Sequence, residues 1–214
     1  KYHDMFKHKR CFIVGNGPSL SHHDLELIKD EYTFASNRIY KASNFKPNFY
    51  FVQDTKALND ENIVSFIHNR SKKTQVFLAY NKYSRKDKSK FKDINYYYIK
   101  SHSKYFEKGT CFSSDINKYV CEGGTVTYTL IQAAVFFGFK EIYLLGVDNT
   151  KRIDGKNIHF YSSNKSSEVK ELDIWTKSYI KARDSLPLNV RIFNATRGGK
   201  LEVFPRVNLE EILN

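Results

Sequence analysis

Short apolar runs alternate with amphipathic segments along most of the chain. The apolar runs have the length of buried strands, and polar turns followed by helix-like spacing separate them. The predicted strands cover residues 11–14, 33–35, 49–52, 76–79, 96–99, 141–148 and 191–193. One predicted helix begins near residue 21, and three more cover residues 60–69, 125–137 and 168–185. This alternation predicts an α/β fold that is Rossmann-like and doubly wound, with a mostly parallel sheet and helices on both faces.

Glycine or polar residues follow the first three predicted strands. A GNGPSL segment leaves the first strand and enters a helix, where glycines permit close backbone approach and free amides favour phosphate. In open parallel sheets, ligands bind beyond the carboxyl ends of the strands. We therefore predict a nucleotide site that contains Gly15, Asn16, Gly17, Pro18, Ser19, Asn37 and Asp54. Leu20 replaces the last glycine of the dinucleotide fingerprint and no Walker lysine follows, which disfavours NAD and a P-loop NTPase.

A second glycine turn precedes the predicted helix at residues 125–137. Gly123 and Gly124 would allow close approach, while Thr125 and Thr127 offer hydroxyl groups near free helix amides. We predict that these four residues bind the phosphate of the nucleotide. The alternative is that Thr125 only caps the helix.

Two further groups of residues are candidates for chemistry. Asp148 follows an apolar strand, and His159 lies in a polar loop at residues 149–167 that we predict to be mobile over the site. Because an imidazole titrates near neutral pH, His159 is the first candidate for a general base, with Asp148 as a second. Thr196, Arg197 and Lys200 follow the last strand and are predicted to hold an anion or substrate.

The composition fits one folded domain over residues 1–214. Apolar residues make up 41% of the chain and charged residues 27%, and no apolar run reaches the ~20 residues that span a bilayer. Three cysteines without a CxxC pair favour free thiols in a reducing cytoplasm and disfavour zinc. The net charge of +12 suits nucleic acid, an anionic membrane surface or a phosphorylated substrate. The lysine-rich run at residues 82–92 is interpreted as a solvated loop.

Four stretches of the chain, taken together, resemble a known family. They are GNGPSL, FASNRIY, GGTVTYTLIQAAVFFGFKEIYLLGVD and NATRGGKLEVFPRV. In this order they resemble the MptE-like family, which is related to archaeal 6-hydroxymethylpterin diphosphokinase and is Rossmann-like. Members are often found in loci for surface polysaccharide and flagellin glycosylation.

The layout is also similar to that of small bacterial sialyltransferases that use CMP-sialic acid. That resemblance implies that Asn16 and Asn37 contact the CMP moiety, and that a histidine acts as base without a metal. The sequence departs from those enzymes at Asp54, where they have an asparagine, and near Ser167, where their histidine has no counterpart. Their phosphate-binding tyrosine pair is not evident here, although Tyr161 is available.

Three functions follow as hypotheses. The leading one is a metal-independent glycosyltransferase of surface-glycan synthesis, with a CMP-linked sugar donor, a glycan acceptor and no cofactor. The second is a diphosphokinase, for which the resemblance to the pterin enzyme implies ATP, magnesium and a transferred diphosphate, with Asp54 and Asp148 as metal ligands. The third is a nucleotide-binding or docking domain without catalysis. We expect a cytoplasmic protein that does not bind nucleic acid. If its basic surface binds lipid, the protein would contact the inner face of the membrane. The sequence leaves the oligomeric state open.

Overall fold

The computed structural model describes residues 1–42, 44–79, 84, 89–92, 97–102, 110–150, 159–161 and 172–213. Nine strands lie in these residues: β1 Arg10–Val14, β2 Tyr32–Ser36, β3 Phe49–Val52, β4 Gln75–Leu78, β5 Tyr97–Tyr98, β6 Ser101–His102, β7 Val120–Cys121, β8 Glu141–Leu145 and β9 Arg191–Asn194. Five α-helices accompany them: α1 His22–Leu27, α2 Glu61–His68, α3 Val126–Phe137, α4 Leu172–Asp184 and α5 Leu209–Leu213. Most of the lysine-rich run and most of the predicted loop at residues 149–167 lie outside the described residues.

Seven strands form one parallel sheet in the order β5-β4-β3-β2-β1-β8-β9. The strand order runs outward from β1 in one direction and from β8 in the other. The predicted doubly wound, Rossmann-like sheet is therefore confirmed, and its topological switch point lies between β1 and β8. A second sheet, which sequence analysis did not predict, pairs β6 with β7.

The alternation of side chains along β1 divides the core between the two faces of the sheet. Cys11 and Ile13 pack into one apolar cluster, together with α3 and α4, while Phe12 and Val14 pack into the other, with α1, α2 and α5. Successive strand residues point to opposite faces, so an unbroken apolar strand needs helices on both sides. The predicted placement of helices on both faces is confirmed.

Capping chemistry determines where the helices next to the switch point begin and end. Ser21 and Asp24 form a capping box at the start of α1. Thr125 caps α3, whose other end closes on Gly138 in the left-handed conformation. Because α3 is buried over residues 127–137, it matches the predicted helix that is covered on most sides.

Two sequence expectations need correction. The last strand before the site ends at Leu145 and not at Asp148, because Gly146 has a φ of +65° and turns the chain. Cys111 and Cys121 form a disulfide with a Cα–Cα distance of 5.8 Å, so the expectation that they are free thiols is wrong. The fold brings β7 beside residue 111, a proximity that the ten-residue separation in sequence did not reveal. Among the described helices, none is long and apolar enough to cross a membrane.

Candidate functional site

A cleft of about 650 Å³ opens at the carboxyl ends of the strands, across the switch point. It is formed by the loops that follow β1, β2, β3, β7 and β8, and by one side of α4. Eleven of the predicted site residues line it: Gly15, Asn16, Gly17, Asn37, Asp54, Gly123, Gly124, Thr125, Thr127, Asp148 and His159. The tertiary structure therefore brings together residues that lie up to 144 positions apart in the sequence (from Gly15 to His159).

The first glycine turn packs tightly against the turn that follows β8. The Gly17 amide donates to the Gly146 carbonyl at 2.8 Å. A Cβ atom on Gly15 would lie 2.3 Å from the Gly146 carbonyl oxygen, and one on Gly17 would lie 1.8 Å from Asp148 Oδ2. Both glycines are therefore required for packing at the switch point, and this packing determines the floor of the cleft.

Asp148 joins these two turns through its side chain. The Ser19 hydroxyl donates to Asp148 Oδ2 at 2.9 Å, although Ser19 itself does not line the cleft. The Asp148 residue is only 7% exposed, and this burial raises the pKa of the carboxyl group while the hydrogen bond from Ser19 opposes the rise. One oxygen of Asp148 is thus committed to the fold of the turn.

Two asparagines at the ends of β1 and β2 present oxygen atoms that lack partners. Asn16 Nδ2 donates to the Ser36 carbonyl at 3.2 Å, which fixes the orientation of the amide. Asn16 Oδ1 and Asn37 Oδ1 are buried and accept no hydrogen bond from any described residue. Buried polar atoms without partners are rare in proteins, because each one costs about 1–3 kcal/mol.

Two more unpartnered atoms belong to cleft residues in the loop after β8 and on α4. Asn149 donates through Nδ2 to the Thr176 hydroxyl at 3.1 Å, which leaves Oδ1 buried without a partner among the described residues. The indole Nε1 of Trp175 is also buried without a partner among the described residues. Within the described ranges, every buried side-chain nitrogen or oxygen atom without a hydrogen bond belongs to a residue that lines this cleft. A ligand with several donors and at least one acceptor would satisfy all four.

His159 is held over the first glycine turn. Its Nδ1 lies 3.3 Å from the Asn16 carbonyl oxygen, and the Phe160 amide donates to the same oxygen at 3.1 Å. Burial lowers the pKa of His159, and the nearby Arg38 guanidinium lowers it further. In the tautomer with its proton on Nδ1, the imidazole would donate to Asn16 and keep Nε2 as a proton acceptor.

Tyr161 supports His159 and does not line the cleft. The two rings stack with their centroids 4.9 Å apart. Lys41 Nζ lies 4.7 Å from the Tyr161 ring centroid, and burial raises the pKa of Tyr161 while the nearby Arg38 guanidinium opposes the rise. The structure therefore places Tyr161 behind the candidate base, while its predicted contact with an anion stays a prediction.

The second glycine turn forms the wall nearest to α4. The Thr125 hydroxyl accepts from the Thr127 amide, and the Ser178 hydroxyl donates to the Gly123 carbonyl at 2.9 Å. Gly124 has a φ of +77°, and a Cβ atom there would lie 2.7 Å from Trp175 Cδ1. Glycine at this position lets the indole pack directly against the N-terminus of α3.

The third predicted group does not reach the cleft. Thr196 is buried and accepts from the Val147 amide at 3.1 Å. Arg197 binds Asp24 through Nε at 2.7 Å and also pairs with Glu210, while Lys200 contributes its backbone amide to the Asp148 carbonyl at 2.7 Å. These residues hold the C-terminal segment against the switch point. Pro18 likewise lies in the turn without lining the cleft.

Several residues of the cleft were not predicted from the sequence. They are Gln53, Lys56, Glu122, Trp175 and Tyr179. Trp175 is the one tryptophan of the chain, and Tyr179 follows it by one helical turn, so helical spacing was the available signal. Burial raises the pKa of Tyr179 to about 12, which keeps its hydroxyl a donor beside Thr125 and Thr127. Gln53 lies beside Asp54 at a polar strand end, which was the available signal for it, whereas no sequence pattern marked Glu122.

The fold and the position of the cleft define a Rossmann-like α/β protein with its candidate site at the switch point. The chain belongs to the MptE-like family, because residues 1–154 match the family described as 6-hydroxymethylpterin diphosphokinase MptE-like. The family membership predicted from the sequence is thereby confirmed. No curated protein matches the chain.

The chain is also similar to the solved structure of the MAf glycosyltransferase from Magnetospirillum magneticum AMB-1. The TM-score is 0.65 and the sequence identity is 22%, over 97% of this chain. The chain spans 35% of the length of that protein. At this level of identity, the similarity shows the shared fold.

Proposed function

We propose that this chain is a glycosyltransferase domain that takes a sugar from a nucleotide-activated donor, with CMP as the nucleotide, and transfers it to a glycan hydroxyl. The observation that carries the proposal is the set of four unpartnered polar atoms in the cleft. Three amide oxygens would accept from the amino group and hydroxyls of a nucleoside and its sugar, and one indole would donate. The fold shared with the MAf glycosyltransferase supports the same class of reaction.

The residues of the cleft suggest how the donor would bind. Asn16 and Asn37 would accept hydrogen bonds from the nucleoside. The Gly123-Gly124-Thr125 turn would bind the phosphate, with free amides at the N-terminus of α3 and the Tyr179 hydroxyl nearby. These donors would stabilise the negative charge that develops on the phosphate when the sugar leaves.

His159 would act as the general base of the transfer. Its Nε2 would take the proton of the acceptor hydroxyl as the oxygen attacks the anomeric carbon, while the bond from that carbon to the phosphate oxygen breaks. Because burial lowers its pKa, His159 is neutral at pH 7 and ready to accept a proton. Asp148 is the second candidate base, because one of its oxygens already accepts from the Ser19 hydroxyl.

The family description raises a second candidate function, a diphosphokinase with ATP and magnesium. The carboxylates of the cleft fit a shared magnesium ion poorly. Strands β3 and β8 lie three strand spacings apart, or about 14 Å, so Asp54 and Asp148 follow well-separated strand ends. Asp54 Oδ1 accepts from the Lys56 amide at 2.9 Å, and the described residues contain no cluster of three metal-ligating side chains.

Calorimetric titration with CMP, CDP, UDP, GDP and ATP, each with and without magnesium, tests the proposal directly. We expect metal-independent binding of CMP or CDP, weakened about 3-fold to 10-fold by Asn16→Ala or Asn37→Ala through the loss of one hydrogen bond. Asn117→Ala, at an exposed position outside the cleft, is the control. Magnesium-dependent binding of ATP alone would favour the diphosphokinase. An absence of nucleotide binding would contradict both.

The role of His159 predicts a particular pH dependence. The protonated imidazole cannot accept a proton, so kcat/KM should fall as the pH drops through a value below 6.5, the usual pKa of histidine. His159→Ala should lower kcat by about 100-fold or more and abolish this acidic limb. A limb that persists in His159→Ala would assign the base to another residue. The exposed His23, replaced by Ala, is the matched control.

A further inference from the structure

A line of four hydrogen-bonded side chains leads through the interior of the protein to the cleft. The Thr129 hydroxyl donates to Gln53 Oε1 at 2.7 Å, and Gln53 Nε2 donates to the Ser101 hydroxyl at 2.9 Å. The Ser101 hydroxyl donates in turn to Glu122 Oε1. The four residues come from α3, the end of β3, β6 and the end of β7, so the line connects both sheets.

Burying these polar side chains costs free energy, so packing alone does not explain why the line is present. Thr129 is 0%, Ser101 is 5% and Gln53 is 6% exposed. Apolar residues of similar size would fill the same space without the cost of removing polar groups from water. All three donors point the same way, so each bond strengthens the next and the line ends on the Glu122 carboxylate. Its effect is to fix one carboxylate group in one orientation.

Glu122 lies where the proposed donor would place its sugar. Both Glu122 and Gln53 line the cleft, and Glu122 directly precedes the turn that would bind the phosphate. The transferred sugar is bonded to that phosphate. A side chain adjacent to the phosphate turn is therefore within reach of the sugar ring.

We propose that Glu122 binds the transferred sugar by accepting hydrogen bonds from its hydroxyl or amino groups, and that Ser101 positions the carboxylate. This inference rests on the proposed function. A carboxylate accepts strongly from hydroxyl and ammonium groups, and it repels another carboxylate in the same place. The sugar therefore presents hydroxyl or amino groups to Glu122, and a sugar that carries an acid group directs it elsewhere in the cleft.

The test compares a bare nucleotide with the same nucleotide carrying a sugar. The probes are CMP with CMP-N-acetylneuraminic acid, UDP with UDP-glucose, and GDP with GDP-mannose, and the pair with the tightest bare nucleotide is used. In Glu122→Ala, the Kd of the sugar nucleotide should rise about 10-fold or more, whereas the Kd of the bare nucleotide should stay within about twofold. Glu122→Gln keeps an accepting oxygen and should give an intermediate loss. Glu61→Gln, at an exposed position on α2, is the control.

The positioning role of Ser101 has its own readout. Ser101→Ala removes the donor to Glu122 and should therefore raise the Kd of the sugar nucleotide, as Glu122→Ala does. Ser101→Thr should restore the affinity because it keeps the hydroxyl. Kinetic comparison separates binding from proton transfer. Glu122→Gln should raise KM more than it lowers kcat, whereas a general base replaced by Gln would lose kcat.

Several outcomes would overturn the assignment. Equal loss of affinity for the bare and the sugar-bearing nucleotide in Glu122→Ala would place the carboxylate at the nucleotide, and no loss for either would remove it from the site. A loss of kcat in Glu122→Gln as large as in Glu122→Ala would make it the base. If wild-type protein binds no nucleotide at all, the proposed function fails, and this assignment fails with it for that separate reason.

Discussion

At the scale of single residues, Asp148 shows how burial and hydrogen bonding oppose each other at one carboxyl group. Burial raises its pKa, and the Ser19 hydroxyl and amide together do not cancel that rise. A folded-state pKa above the unfolded one means that the ionised carboxylate costs stability as the pH rises through the folded value. Asp148 therefore stabilises the turn least at neutral and alkaline pH.

Asp148→Asn should remove this cost while it keeps an oxygen that accepts from Ser19. We expect the variant to have a higher Tm than the wild type at pH 7–8, by on the order of 2–4 °C, the shift that about 1 kcal/mol produces in a chain of this size. The difference should shrink as the pH falls toward 4, where the wild-type carboxyl group becomes protonated. Thermal melts across this pH range measure it. A difference that does not vary with pH would show that ionisation of Asp148 is not its cause.

Two of the four unpartnered atoms lie on side chains whose amide orientation is fixed. Asn16 and Asn149 each use Nδ2 to bind the protein, which leaves Oδ1 of each residue without a partner. Sequence analysis identified Asn16 and Asn37 because polar residues at strand ends are informative. It did not identify Asn149 or Trp175, because their positions depend on how α4 packs against the loop after β8.

At the scale of elements, the two ends of α3 determine the shape of the site. Thr125 fixes the start of the helix, so the first turn of α3 lines the cleft. Gly138 closes the other end with a φ of +94° and lets the chain enter β8 at once. The N-cap and the C-cap were both readable from sequence, since Thr before a helix and Gly after it have direct backbone reasons.

Gly138→Ala tests the tight C-terminal cap of α3. A Cβ atom there would lie 2.9 Å from the Cα of Asp4, in addition to the strain of a positive φ. We expect the free energy of unfolding to fall by about 2–4 kcal/mol, the sum of the left-handed backbone cost and overpacking. Gly198→Ala is the matched control, since its φ is +79° and no atom lies within 4 Å of the added Cβ. In urea titrations, the free energy of unfolding of Gly198→Ala should fall only by the backbone contribution, about 1–2 kcal/mol. Equal losses would show that contact with Asp4 adds nothing.

The short strands β6 and β7 could not be predicted from sequence patterns. Each contains two residues, too few to show an alternation of apolar and polar side chains. Gln132 on α3 fixes β7, because its side chain accepts from the Cys121 amide and donates to the Cys121 carbonyl, both at 2.9 Å. These hydrogen bonds place Cys121 beside Cys111, and they place Glu122 at the cleft.

At the scale of the whole molecule, the cleft follows from the order of the strands. Chain connections leave β1 and β8 toward opposite directions in the sheet, so the loops after these two strands separate and leave space between them. A ligand bound in that space would accept from or donate to these unpartnered atoms and would stabilise the folded state. The apo protein should therefore be measurably less stable than the complex.

Thermal unfolding with nucleotide measures this linkage without any assay of catalysis. At a concentration of 100 times Kd, a ligand that binds only the folded state stabilises it by about 2.7 kcal/mol. For a chain of this length, we expect Tm to rise by roughly 5–10 °C with the nucleotide that calorimetry selects. Asn16→Ala should need a proportionally higher concentration for the same rise. A Tm that does not respond at saturating nucleotide would contradict a nucleotide site in the cleft.

The sequence by itself determined the classes of the elements, the doubly wound sheet and the first glycine turn. Hydrophobic period, capping residues and glycine turns are local properties, and the backbone responds to them locally. Polar residues at three strand ends predicted a ligand site at the carboxyl edge of the sheet, and the cleft lies at that edge. The family resemblance then extended this prediction to a class of function.

Only the tertiary structure decided which side chains meet at the site. Arg197 looked suited to hold an anion, yet it pairs with Asp24 and Glu210, which lie on separate helices. Glu122 had no motif, yet it lines the cleft and accepts from Ser101 at the end of a buried line of hydrogen bonds. Ion pairs and buried hydrogen bonds join residues that are far apart in sequence, and their partners depend on the packing of elements that no local pattern records.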